Sequence, residues 1–355
     1  MSKLKEARQQ LRQANRKLAE QQEEINALRA RLAKREAGDE AEGIKPENIV
    51  WVLGSGRTGS TWLSSMMKSL TDHARWNEPT VGYLFGHLFY YLFYDRYYDR
   101  EPPVQDRNII LGRDFQKTWI NLRSGGFREP WVKNLSAQDR DNAILGNGFK
   151  ETWINSIRRL VLDGANARFH EIAEKGGYLV IKEPWGSIGA PLLMEALPES
   201  RMIFLVRDPR DVVASALHVS FVRHNTPSKR RQEAQERPEE FVREEAKIYL
   251  RNINLTKQAY EGHEGRKVLV RYEDLKADTM GTMKRIYSVL EIPVEEGELM
   301  RAVKKYAWEN IPEDKKGPGT IRRKGESGGW REDLTPRQVE IVGRITAPLL
   351  EEFYE

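Results

Sequence analysis

Residues 48–61 read NIVWVLGSGRTGST, an apolar run followed at once by a turn with three glycines and a pair of hydroxyl residues. A continuous apolar run is typical of a strand buried on both faces of a parallel sheet. Residues 60–70 then show an apolar helix pattern. Glycines let successive backbone N–H groups point inward, and a helix start adds further free N–H groups. The stretch therefore predicts an anion-binding loop between a strand and a helix.

The loop differs from the ATPase pattern G-x-x-x-x-G-K-[ST] at one decisive position. Gly54 and Gly59 have the required separation, but Ser60 stands where that pattern has its lysine. A loop without this lysine is poorly suited to the transfer of a phosphoryl group from Mg·ATP. Arg57 instead supplies a cation that can hold a 5′-phosphate and neutralise charge on a departing one. An ordinary strand–helix turn is the alternative interpretation.

Three further apolar runs, each followed by a turn and a helix pattern, occur at residues 178–182, 201–206 and 267–271. This alternation predicts an α/β fold with a P-loop-type central parallel sheet and helices on both faces. We expect one domain over residues 48–355, joined by a linker at 37–47 to an N-terminal helix.

The N-terminal helix, residues 1–36, has an apolar residue at every seventh position. These residues are Leu4, Leu11, Leu18, Ile25 and Leu32. Such a stripe predicts a coiled-coil arm that forms a homo-oligomer, because the stripe cannot be buried by one helix alone. A solvated, charged helix is the alternative.

Composition excludes several classes of function. The 355 residues include no cysteine, which excludes disulfides, thiolate metal sites and a cysteine nucleophile. The net charge of +5 belongs to residues 1–36, so the rest of the chain is balanced and no nucleic-acid partner is expected. The sequence shows neither a transmembrane segment nor an apolar signal-peptide core, which predicts a cytoplasmic protein.

A second phosphate site is predicted at residues 207–215, RDPRDVVAS. Arg207 ends a buried strand, and Ser215 lies two helical turns further on. A guanidinium and a hydroxyl at these places could converge on one phosphate. Taken alone, the segment could also be a salt-bridged helix start, or Asp208 or Asp211 could be a Walker-B acid.

The two motifs together resemble those of the PAPS-dependent sulfotransferase family, in particular the bacterial and tyrosylprotein-like branch of that family, which uses a glutamate base. GSGRTGSTWL begins at Gly54, and RDPRDVVASALH follows about 150 residues later. RYEDL at 271–275 and RRKGESGGW at 322–330 resemble two further motifs of the family. The resemblance implies that a sulfuryl group moves from PAPS to an acceptor hydroxyl, giving adenosine 3′,5′-bisphosphate, with no metal required.

The resemblance also implies a set of donor-binding residues. The 5′-phosphosulfate would be held by Arg57, Thr58, Gly59, Ser60 and Thr61. Trp62 would stack on the adenine, although it could equally be a core aromatic. Arg207 and Ser215 would bind the 3′-phosphate, and Arg323, Lys324 and Gly325 would close over it. Tyr272 would form a hydrogen bond near the adenine.

The general base is where branches of this family differ. Cytosolic members use a histidine in a K-x-H segment, but the matching segment here is Lys182-Glu183-Pro184. The resemblance to the glutamate-dependent branches makes Glu78 the predicted base and Glu183 its rival. Glu78 could otherwise be a helix-start acid. Lys182 matches a lysine that would offset charge on the bridging oxygen. The catalytic set is therefore Glu78, Arg57 and Lys182.

The acceptor is left open by the sequence. The aromatic and apolar residues 82–94 could line an acceptor pocket or form a buried helix, and Trp119, Trp131 and Trp153 could stack on sugars. A carbohydrate, a glycolipid and a small hydroxylated metabolite all remain candidates. A P-loop nucleotide kinase or NTPase, and a coiled-coil scaffold with a silent nucleotide fold, are the alternative functions.

Overall fold

The computed structural model describes residues 43–86, 149–222, 228–313, 316–317 and 326–354, together with Gln22. Four predicted features therefore lie outside the described residues: the arm at 1–36, the segment 87–94, the tryptophans Trp119 and Trp131, and the triplet Arg323, Lys324 and Gly325. Trp153 lies within a described helix, and its side chain is not described.

In the part of the chain that the structure describes, a five-stranded parallel sheet forms the centre of the domain. Its strands are β1 (Ile49–Gly54), β2 (His73–Asn77), β3 (Tyr178–Lys182), β4 (Arg201–Val206) and β5 (Lys267–Arg271), in the order β2-β3-β1-β4-β5. All four neighbouring pairs are parallel. The predicted α/β architecture is confirmed, and β2 is a strand that the sequence analysis missed.

Helices follow the strands and cover both faces of the sheet. They are α1 (Ser60–Lys68), α2 (Phe149–Glu174), α3 (Ala190–Ala196), α4 (Pro209–Val222), α5 (Ser228–Glu236), α6 (Pro238–Gly262), α7 (Tyr272–Ala277), α8 (Thr279–Val289), α9 (Glu296–Lys305), α10 (Trp330–Asp333) and α11 (Pro336–Tyr354). Short 3-10 turns occur at Pro46–Asn48, Pro184–Gly189 and Trp308–Asn310. Within the described residues, no helix is both long and apolar enough to span a bilayer.

The burial of the central strand β1 on both faces explains why its sequence is apolar at every position. Trp51 and Leu53 of β1 pack into a core shared with α2, α3 and α6. Val50 and Val52 pack into a second core, shared with α1, α8 and α9. Successive side chains of a strand point to opposite faces, so a strand covered on both sides must be apolar throughout.

The compact unit that contains the sheet begins at Ile44. Ile44 is buried, and its backbone N–H donates to Asn166 Oδ1 at 2.6 Å. The last residues of the predicted linker, 44–47, thus belong to the compact unit.

Candidate active site

The segments that follow the strands meet at the carboxyl-terminal end of the sheet. In an open α/β sheet, the carboxyl ends of parallel strands, next to the central strand, form the usual place for ligand binding. Here the central strand is β1, flanked by β3 and β4. The glycine-rich loop (residues 54–59) follows β1, Glu183 follows β3, and Arg207 follows β4.

At two positions of this loop, neighbouring side chains leave no room for any residue but glycine. Gly59 has a φ of 90°, and a Cβ atom there would lie 2.5 Å from the Tyr272 ring. A Cβ atom on Gly56 would lie 2.7 Å from the Trp185 ring. Helix α1 begins at Ser60, directly after Gly59, so the amides of its first turn lie beside the loop. The predicted strand–loop–helix arrangement is therefore present.

Arg57 links the two predicted phosphate motifs. Its Nε donates to Ser215 Oγ at 3.0 Å, and Arg207 Nη1 donates to the carbonyl oxygen of Arg57 at 3.2 Å. Arg57 itself has a left-handed backbone, with a φ of 68°. Residues about 150 positions apart in sequence thus form one cluster of two guanidinium groups and a hydroxyl.

The surroundings of Arg207 fit a negatively charged ligand. Its guanidinium lies 4.2 Å from the centre of the Tyr272 ring, and its Nη2 lies 3.7 Å from Asp211 Oδ2. Its Nε is buried and has no hydrogen-bond partner among the described residues. Because a buried donor without a partner is costly, an anion at this place would supply the missing acceptor.

Asp211 and Asp208 have structural partners that the sequence did not reveal. The Asp211 carboxylate accepts the backbone N–H groups of Gly328 at 2.7 Å and Trp330 at 3.0 Å. Asp208 forms an ion pair with Arg210 at 2.7 Å. Asp211 thus anchors the segment at 326–330 next to Arg207.

Trp62 and Tyr272 pack edge to face, with ring centroids 6.1 Å apart. The indole N–H of Trp62 donates to the carbonyl oxygen of Tyr306 at 2.9 Å. Trp62 is half-buried against the second core, so its predicted contact with adenine stays a prediction. Tyr272 is buried and supports both Gly59 and Arg207.

Glu78 and Lys182 form an ion pair at the ends of β2 and β3. The Glu78 side chain is 37% exposed, whereas that of Lys182 is 3% exposed. The backbone N–H of Glu78 also donates to the carbonyl oxygen of Lys182 at 2.8 Å. A partly exposed carboxylate is thereby fixed beside a buried ammonium.

Backbone strain concentrates at this site. Among the described residues, four non-glycine residues have a positive φ, namely Arg57, Glu78, Thr80 and Glu291. Three of the four belong to the segments just described. Left-handed backbone is unfavourable for such residues and tends to persist at functional sites.

Glu183, the rival base, lies in a different environment. It is 1% exposed, and its Oε1 accepts the backbone N–H of Tyr83 at 3.2 Å. Burial, together with the negative charge of Glu78, raises the pKa of the Glu183 carboxyl to about 7. Of the two glutamates, Glu78 is the more exposed.

A hydrogen-bond network beneath the second motif was missed by the sequence analysis. The Tyr249 hydroxyl donates to the carbonyl oxygen of Arg207, and Glu273 Oε1 accepts the N–H of Asp208 at 3.0 Å. The Tyr354 hydroxyl donates to Glu273 Oε2 at 3.2 Å. Burial raises the pKa of the Glu273 carboxyl. The RYEDL motif was the one signal that pointed to this network.

Comparison with known proteins gives matches to sulfotransferases. The model of the sulfotransferase family matches residues 50–296. Sulfotransferase 2A1 of Rattus norvegicus is 28% identical over 163 residues, which is 41% of this chain and 55% of that protein. Cytosolic sulfotransferase 12 of Arabidopsis thaliana is 29% identical over 186 residues, 45% of this chain and 56% of that protein. The chain spans about half the length of these relatives.

Solved structures also align with the chain. Sulfotransferase STF9 of Mycobacterium avium has 17% identity and a TM-score of 0.48, covering 91% of this chain and 81% of its own. Mouse sulfotransferase SULT7A1, solved in complex with PAP, has 14% identity and a TM-score of 0.48, covering 88% and 91%.

The family model covers well over half of the 355 residues, and it includes both motifs at Arg57 and Arg207 as well as the Glu78–Lys182 pair. The chain therefore belongs to the sulfotransferase family.

Proposed function

We propose that the protein transfers a sulfuryl group from PAPS to an acceptor hydroxyl and releases adenosine 3′,5′-bisphosphate. The observation that carries this proposal is the cluster of Arg57, Ser215 and Arg207. A nucleotide with phosphates on both its 5′ and 3′ positions engages the glycine-rich loop and the second motif together. ADP and ATP have no 3′-phosphate to place at the second motif. The serine at position 60 also counts against a kinase.

The roles of the catalytic residues follow from the ion pair between Glu78 and Lys182 at the carboxyl ends of β2 and β3. The acceptor oxygen attacks sulfur, the bond from sulfur to the bridging oxygen breaks, and the hydroxyl proton passes to the Glu78 carboxylate. The electron pair of the broken bond stays on the departing phosphate. Lys182 and Arg57 offset the charge that grows there. Glu78 thus takes the role that a histidine has in the cytosolic branch.

The acceptor is proposed to present an apolar or sugar-like face. Leu84 and Trp185, which are 40% and 42% exposed, lie in the segments that follow Glu78 and Lys182. Large exposed apolar side chains near a reactive centre suit such a ligand. Leu84 also shows that the described part of segment 82–94 is not wholly buried. A screen of carbohydrates, glycolipids and phenolic metabolites with ³⁵S-labelled PAPS would identify the acceptor.

The donor assignment predicts selective binding of adenosine 3′,5′-bisphosphate over ADP. In Arg207→Ala, affinity for the bisphosphate should fall by about 10- to 150-fold, since a charge-assisted hydrogen bond contributes about 1.5–3 kcal/mol. Affinity for ADP should change little. Isothermal titration calorimetry measures both nucleotides, and Arg266→Ala, which breaks an exposed ion pair with Glu291, is the control. Equal affinity of the wild type for the two nucleotides would contradict the donor assignment.

The arm is proposed to hold the chain in a homo-oligomer. Deletion of residues 1–36 should lower the mass measured by multi-angle light scattering while donor binding persists. The heptad stripe at Leu4 to Leu32 is the reason for this expectation. An unchanged mass would instead support a solvated helix.

A further inference from the structure

We infer that Glu183 is a positioning residue: its buried carboxyl holds residues 81–86 against the turn Pro184–Gly189 and thereby fixes Glu78. The inference rests on the proposed function, because it concerns the placement of the proposed base. It replaces the idea of Glu183 as a rival base with a different role for the same side chain.

The carboxyl lies between the two segments. Glu183 Oε1 accepts the N–H of Tyr83, which belongs to the helical turn at 81–86. On the other side, a Cβ atom on Gly186 would lie closer than 3.0 Å to Oε1. The carboxyl therefore occupies space that only a glycine at position 186 leaves open.

The two segments also meet backbone to backbone. A Cβ atom on Gly82 would lie 2.5 Å from the carbonyl oxygen of Gly186, and one on Gly86 would overlap the backbone of Gly189. Contacts between glycines bury little apolar surface, so they stabilise an interface weakly. A hydrogen bond from the Tyr83 N–H to the buried carboxyl adds direction and strength at this place.

Glu78 is held between β3 and residues 81–86. On one side its N–H donates to the carbonyl oxygen of Lys182 in β3. On the other side the chain passes through Thr80, with a φ of 65°, directly into residues 81–86. Release of residues 81–86 would let this strained connection relax, and the Glu78 carboxylate would then shift relative to Lys182.

Its surroundings distinguish Glu183 from a base. The side chain is buried, and its Oε2 has no hydrogen-bond partner among the described residues. Burial and the negative charge of Glu78 raise the pKa of the Glu183 carboxyl. The Lys182 ammonium is paired with Glu78. The enclosed carboxyl accepts the Tyr83 hydrogen bond, whereas a base must be open to an incoming acceptor hydroxyl.

Glu183→Gln and Glu183→Leu test this role. Glutamine keeps an acceptor oxygen at the same place, whereas leucine removes it. Hydrogen–deuterium exchange of the Tyr83 amide should be about tenfold faster in Glu183→Leu and nearly unchanged in Glu183→Gln. With the acceptor that the labelled-PAPS screen identifies, Glu183→Leu should lower kcat by about 10- to 100-fold, as expected for a misplaced base. The Kd for adenosine 3′,5′-bisphosphate should not change.

A second variant covers the case in which Glu183→Leu does not fold. Gly186→Ala pushes the carboxyl away from Tyr83 without changing Glu183, and it should show the same faster exchange and lower kcat. Gly343→Ala, in α11 with open space around it, is the control. Equal losses of kcat in Glu183→Gln and Glu183→Leu would overturn the inference in favour of a base, and a normal kcat in Glu183→Leu would also overturn it. Failure of the wild type to bind adenosine 3′,5′-bisphosphate would instead overturn the proposed function.

Discussion

Replacing Glu78 by glutamine is expected to lower kcat by about 10²–10⁴-fold, the usual contribution of a general base. Glutamine fills the same space and can still accept a hydrogen bond from Lys182, but it cannot take the proton of the acceptor hydroxyl. The Kd for adenosine 3′,5′-bisphosphate should stay within about twofold, because the donor cluster at Arg57, Ser215 and Arg207 is untouched. Initial rates at saturating PAPS and calorimetry measure the two quantities.

The control for this variant is Glu199→Gln. Glu199 is an exposed carboxylate in a bidentate ion pair with Arg158, at 2.8 Å. It lies just before β4 begins, at the opposite end of that strand from Arg207. Loss of an exposed pair costs little stability, so activity should be retained. Near-normal turnover of Glu78→Gln would refute the base assignment, and a parallel loss of donor affinity would mean that Glu78 supports nucleotide binding.

Buried strands and the glycine-rich loop could be predicted from sequence because each has a local signature. β1 and β4 are covered on both faces, and all their residues are buried. Each strand therefore appears in the sequence as a nearly continuous apolar run, which can be recognised without knowing the neighbouring strands. The strand β2, with the sequence HARWN, gave no such signal. Among the described strands, it lies at the edge of the sheet and pairs only with β3, and it is partly exposed, so polar residues are tolerated along it.

The missed strand matters because it creates the Glu78–Lys182 contact. Asn77 pairs with Lys182 in the β2–β3 register, and Glu78 follows immediately. The resemblance to the family identified both residues as candidates, but their contact depends on pairing between segments about 100 residues apart in sequence. The contact of Arg57 with Ser215 similarly depends on β4 lying beside β1. Local patterns cannot specify such pairings.

The contrast between the surroundings of Glu78 and Glu183 also required the structure. Both are glutamates next to proline in the sequence, and both follow a strand. Burial separates them. The Glu78 side chain is 37% exposed and pairs with the Lys182 ammonium, whereas Glu183 is buried against Gly186. Burial of one side chain at the end of a strand is set by the segment packed above it, here residues 81–86.

Replacing Lys182 by methionine is expected to lower kcat by about 10²–10³-fold, the range seen when one group that stabilises developing charge is removed. Methionine preserves the buried stem of the side chain, and Glu78 is exposed enough to be solvated without its partner. The fold and the affinity for adenosine 3′,5′-bisphosphate should therefore be kept. Lys257→Met, which removes an exposed ion pair with Glu352 at 2.7 Å, is the matched control and should leave kcat unchanged.

The double variant of Glu78→Gln and Lys182→Met separates two roles for Lys182. If the ammonium offsets charge on the bridging oxygen, as we expect, its loss acts on the leaving group, whereas the loss of Glu78 acts on the acceptor. The double variant should then be slower than either single variant, with losses that approach their product. If Lys182 only holds Glu78 in place, the double variant will be no slower than Glu78→Gln alone, because nothing remains to be oriented. That outcome would limit Lys182 to orienting the base and leave Arg57 and the loop amides to stabilise the departing phosphate.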